Sequence, residues 1–184
     1  MKSNHRIGLL ALSILALSML IAPVHAATPY VMGFGVAGNT SCQTGCNLGG
    51  TANNDTAGAG IGVQFDNGLG VEVLGYNGNA GADVYFGTTG KLGLKVGIGQ
   101  AEDYYTLPAV NGYDSQQDRA HAPFAFVGAS YGIFFARVIY QRAPHEYARA
   151  KVIGYNGNIP ILDHRSDSVV LHRTIGMVGL RYAF

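Results

Sequence analysis

Apolar residues alternate with small or polar ones in eight segments, and glycine-bearing turns alternate with long links between them. Only 12% of residues are charged, against 27 Gly and 11 Tyr and no Trp. These observations predict an all-β chain: an eight-stranded antiparallel up-and-down transmembrane β-barrel with a cleaved N-terminal signal peptide. Beyond that leader, no apolar stretch reaches the roughly 20 residues that a spanning helix needs.

Residues 1–26 read as the signal peptide. Lys2, His5 and Arg6 give a basic start, Ile7 to Ala22 is an almost unbroken apolar run, and "APVHAATP" sets Val24 and Ala26 before a cut. No Cys stands at the cut, which argues against a lipoprotein. Residues 27–184 then form one barrel domain. Taking Lys2 and Arg6 from the twelve Lys and Arg leaves ten basic against eleven acidic side chains, a net charge near −1. There is no basic stripe, so no nucleic-acid partner is expected.

The strands follow in order. "YVMGFGVAG" (30–38) sets Tyr30, Met32, Phe34 and Val36 against Gly33, Gly35 and Ala37. "AGAGIGVQFD" (57–66) sets Ala59, Ile61, Val63 and Phe65 against Gly60, Gly62 and Gln64. "LGVEVLGY" (69–76) opposes Leu69, Val71 and Val73 to Gly70 and Glu72, and "ADVYFGT" (82–88) opposes Val84 and Phe86 to Asp83 and Tyr85. "KLGLKVGIGQ" (91–100) has Leu92, Leu94, Val96 and Ile98 against Gly93, Lys95, Gly97 and Gly99. "APFAFVGASY" (122–131) leaves its phase open, because Phe124 and Phe126 alternate out of step with Val127 and Tyr131. "IFFARVIYQR" (133–142) puts Phe134, Ala136, Val138 and Tyr140 opposite Arg137. The last, roughly 170–184, puts Val178, Leu180, Tyr182 and Phe184 opposite Met177, Gly179 and Arg181. In a membrane barrel the apolar face of each strand meets lipid and the Gly-rich, charged face lines the interior.

"DNG" (66–68), "TTG" (88–90) and "SYG" (130–132) are tight turns; the links 39–56, 77–81, 101–121 and 143–169 are longer. Short periplasmic turns and long outer loops have this asymmetry, so both termini are expected on the periplasmic side. "GYNGN" occurs at 75–79 and again at 154–158, and Asn-Gly is a hairpin signal. The second copy lies inside the last long link. It predicts that the last two strands run on above the membrane, with Pro144 and Pro160 blunting the exposed edges.

With its strand count and its "GLRYAF" ending, the chain resembles the small eight-stranded outer-membrane barrels of the OmpX, Ail and OmpA-transmembrane-domain type. Leu180, Tyr182 and the terminal Phe184 look like the signal by which the barrel-assembly machinery recognises its clients. The resemblance implies a bacterial outer-membrane location among lipid and lipopolysaccharide. It also implies a non-enzymatic role: supporting the membrane and presenting loops for adhesion, including contact with host surface proteins.

Glu72, Lys95, Arg137 and Arg181 fall on the inward parity, with Asp83 and Arg173 expected nearer a rim. Charges in a narrow lumen must pair, so a salt-bridged plug is expected; the alternative is a gate in a narrow, low-conductance pore. Cys42 and Cys46, the only two cysteines of an exported chain, are expected as a disulfide in the first long loop. In "HRSD", His164 and Ser166 share a strand face, and a Ser beside a His can be an activated nucleophile when a carboxylate orients the His. The lipid A deacylases resembling PagL use a His-x-Ser pair with a later Glu. No Glu follows Ser166 here, so Asp163 or Asp167 would have to substitute. A polar outer loop is the primary reading of that segment, and no catalytic residues, metal or cofactor are expected. His145 with Glu146 reads as a solvated loop pair.

Overall fold

A computed structural model describes residues 27–52, 57–76, 79–88 and 91–184. The leader at 1–26 lies outside the described residues, as do Asn77 and Gly78 of the first GYNGN and Thr89 and Gly90 of the second tight turn. The described strands are β1 (Ala27–Thr44), β2 (Thr51–Ala52), β3 (Ala57–Phe65), β4 (Leu69–Tyr76), β5 (Asn79–Gly87), β6 (Leu92–Leu107), β7 (Gln116–Tyr131), β8 (Phe134–Asn156) and β9 (Ile159–Ala183).

Eight of them form a closed antiparallel ring. Sequential neighbours pair from β3 round to β9, and β1 joins β3 on one side and β9 on the other. Closure leaves no unpaired edge in the lower wall, where each strand is bonded to both neighbours, as hydrocarbon requires. The short β2 is an addition: it pairs with the top of β6, Thr51 opposite Thr106. Gly68 closes the β3–β4 turn in the left-handed region, φ 87°, where a side chain would be strained.

The wall is uneven. β3, β4 and β5 have 9, 8 and 9 residues, whereas β8 and β9 have 23 and 25. Much of the two links expected at 101–121 and 143–169 is therefore strand. β8 and β9 stay paired from Phe134↔Leu180 up to Asn156↔Ile159, with the second GYNGN as their turn.

Ile61, Phe86, Leu94, Ile98, Val127 and Leu180 stand exposed on the outside of the barrel. The first strand reverses its expected phase: Tyr30, Met32 and Phe34 are buried in the interior, and Val31 is exposed. The reason is volume. A Cβ on Gly62 would stand 2.5 Å from the Tyr30 ring, and one on Gly58 would stand 2.5 Å from Phe34. The bare glycines of β3 are the sockets for the aromatics of β1. The open phase of β7 is settled likewise, since Phe124 and Phe126 point inward over Gly99 and Gly97.

Candidate functional site

The lower interior holds an ion cluster. Glu72 on β4 takes Lys95 Nζ at 3.0 Å and also the Arg137 guanidinium, which reaches Asp83 Oδ2 at 3.0 Å. Two carboxylates and two cations thus balance in a space from which water is largely excluded. Tyr30 donates its hydroxyl to Glu72 and lies 2.9 Å from the Tyr85 hydroxyl, while Lys95 sits 3.9 Å from the Tyr85 ring centre. Arg181 stands apart from the carboxylates: it reaches Gln64 Oε1 at 3.4 Å and lies 4.8 Å from the Tyr30 ring centre. Asp83 and Arg173, expected near a rim, are both buried inside. They follow the inward parity of β5 and β9, and each has an opposite charge across the lumen.

A cavity bounded by Met32, Glu72, Lys95, Phe135, Arg137 and Arg181 measures about 10 Å³. That is about the room one water needs. Above it Phe34, Leu74, Phe126, Ile139 and Ile175 pack as a buried apolar layer.

A second polar cluster lies higher. His145 is fully buried, with Nε2 at 3.2 Å from Asp103 Oδ2 and Nδ1 at 3.2 Å from Asp118 Oδ2. Asp103 also receives Arg173. His145 is therefore no solvated loop residue, and its expected companion Glu146 points the other way. Asp118 also accepts the Glu146 backbone N–H at 3.3 Å. Backbone pairing between β7 and β8 ends at Phe124↔Gln141, so above that point this carboxylate helps hold the seam. Sequence reading missed the cluster, although the parity that places Lys95 and Arg137 inward runs on to Asp103 and His145.

The end of β1 and the turn after it roof this layer. Cys42 and Cys46 form a disulfide, but Cys42 lies on β1, paired with Leu171, and only Cys46 is in the loop. Cys42 and Leu48 pack on the buried cluster of Tyr105, Leu107, Tyr147 and Leu171. β2 reaches the top of β6 because β5 pairs β6 only as far as Ala101.

The ribbon of β8 and β9 continues past the roof. Its base is tied by Arg149 and Arg165, both bonded to Asp167. Burial pushes the Asp167 carboxyl up, but the two arginines outweigh it and hold it below the ordinary carboxylate range. The Tyr113 hydroxyl donates to Asp163 Oδ2 at 2.6 Å. Beyond that point Ile153, Tyr155 and Ile159 are 61, 68 and 70% exposed. His164 and Ser166 lie on the outward parity of β9, opposite Ala150 and Ala148, and both are exposed. Asp163 and Asp167 alternate to the other face, each committed to the partners just named. The side chains of Leu180, Tyr182 and Phe184 are exposed at the lower end of β9, with Tyr182 and Phe184 stacked at 6.4 Å between ring centres.

No family model and no curated protein matches the chain. Among solved structures, it is similar to the outer membrane protein AlkL determined by solid-state NMR in DMPC lipid bilayers. The TM-score is 0.51 at 15% sequence identity, over 89% of this chain and 92% of that one. At that identity the likeness is one of fold: the chain has the fold of a small eight-stranded outer-membrane β-barrel.

Proposed function

We propose that the protein is a non-enzymatic barrel of a bacterial outer membrane. Its interior is a closed plug, and its β8–β9 ribbon is a contact element for other surfaces. The observation that carries this reading is the ribbon itself, which rises past the rest of the wall and ends in exposed apolar side chains. The filled lower interior supports a structural role for the lumen over a conducting one. The position of Asp163 and Asp167 on the face opposite His164 and Ser166 supports an outer surface over a hydrolase centre. In this reading the outward band lies among lipid and lipopolysaccharide, and Leu180, Tyr182 and Phe184 address the chain to the barrel-assembly machinery. The tight turn at 66–68 lies at the same end as both strand termini, since Ala27 pairs with Phe65 and Ala183 with Tyr30; that end is periplasmic.

The test compares cells carrying the wild-type barrel with cells carrying Ile153→Asp/Ile159→Asp. Binding to host-cell monolayers falls in the variant, while the barrel still shows heat-modifiable migration. Equal binding by both strains refutes the reading.

A further inference from the structure

We propose that residues 152–162, the tip of the β8–β9 ribbon, form a shallow lipid-inserting element that docks on an opposing phospholipid bilayer. This rests on the contact reading above and names its partner as lipid.

Height is the first argument. From Tyr140, at the upper border of the apolar band, β8 runs twelve residues to Val152, about 40 Å of strand at roughly 3.3 Å per residue. Even tilted by about 40°, such a strand carries its tip about 30 Å above the band. The barrel's own acyl chains are out of reach.

The distribution of apolar side chains is the second. Lower on the ribbon, buried and exposed residues alternate strictly along β8. At the tip the alternation fails. Leu162 lies opposite Val152 and Pro160 opposite Tyr155 on one face, while Ile159 and Ile161 take the other. A β-bulge at Ile153 adds an unpaired apolar side chain. A flat protein patch covers one face of a two-stranded ribbon and leaves the other in water. A fluid lipid surface takes up both.

Charge is the third. Residues 147–162 contain no Asp or Glu. The nearest carboxylates are engaged, Asp163 by Tyr113 and Asp167 by Arg149 and Arg165. Behind the tip stand Lys151 and His164, at the level where an opposing membrane would present its phosphates, while Arg165 is held on Asp167. The polar Asn156–Gly157–Asn158 turn and the unpaired strand edges exclude the hydrocarbon core. They set the depth at the headgroup boundary, where interfacial elements bind and where Tyr is favoured.

The chain has no Trp, so Tyr155→Trp makes a single reporter at the tip. The full barrel carrying it, in nanodiscs built with a Trp-free scaffold protein, is mixed with phosphatidylcholine–phosphatidylserine vesicles with brominated acyl chains. Expected are a blue shift and quenching, both abolished when Ile153→Asp/Ile159→Asp is added to a barrel that remains heat-modifiable. Unchanged emission overturns the inference. A blue shift that needs no vesicles and grows with protein concentration also overturns it, in favour of a second copy. Loss of cell binding in the aspartate variant without any vesicle response leaves the contact role standing and assigns it to a protein partner.

Discussion

Removing the Arg137 side chain is the sharpest test of the filled interior. The guanidinium bridges Glu72 and Asp83, and it packs 4.0 Å from the Phe126 ring centre. Arg137→Ala leaves two buried carboxylates with Lys95 as their remaining close cation. Breaking a buried pair from one side costs about 3–5 kcal/mol, because the orphaned charge stays desolvated. The lost contact with the buried Phe126 ring adds about 2 kcal/mol. Urea titration of the barrel in lipid vesicles, followed by far-UV circular dichroism and by heat-modifiable migration, reads the change. Arg137→Met combined with Asp83→Asn removes one charge of each sign and leaves Glu72 paired with Lys95, so most of the loss is recovered, since no charge is orphaned. A wild-type-like midpoint for Arg137→Ala would show that water or lipid headgroups reach Glu72 and Asp83, and the plug argument fails.

Five further outcomes follow from the same geometry. Gly70→Val drives its Cβ into the Tyr85 ring, 2.2 Å from Cζ, and lowers stability by at least about 1–3 kcal/mol. Gly33→Ala, with nothing within 4 Å of the added atom, is neutral or gains up to about 1 kcal/mol in the same titration. Cys42→Ser/Cys46→Ser opens a ring of low chain entropy; it costs no more than about 2 kcal/mol, and amide exchange quickens around residues 39–52. Asp167 has a lowered folded pKa, so its contribution is complete above the unfolded carboxylate value near ~3.9 and is lost as pH falls through the lowered value. Amide exchange at the ribbon base should quicken in that acid range, and Asp167→Asn should abolish the pH dependence. Wild-type protein in planar bilayers shows no large, stable conductance; one that persists refutes the closed interior.

Strand positions, turn positions and most outward faces were legible in the residues because alternation is a local property. Ile61, Phe86, Leu94 and Leu180 announce their side of the wall without reference to any other strand. The second GYNGN likewise marks where β8 turns into β9. Two faces of one strand can nevertheless both look apolar, and then the choice belongs to the neighbours. Tyr30 and Phe34 turn inward because β3 offers bare glycines beside them, and Phe124 and Phe126 because β6 does. The same holds for the charges. Parity places Glu72, Lys95, Asp103 and Arg137 in the lumen, but parity is silent on height. Only the stagger of the closed ring decides that Glu72 meets both Lys95 and Arg137, that Asp83 lies level with Arg137, and that His145 sits between Asp103 and Asp118. What a strand is and where it bends follow from short-range chemistry. Which side chains fill the centre, and which charges meet there, depend on volumes and registers that exist only once the ring has closed.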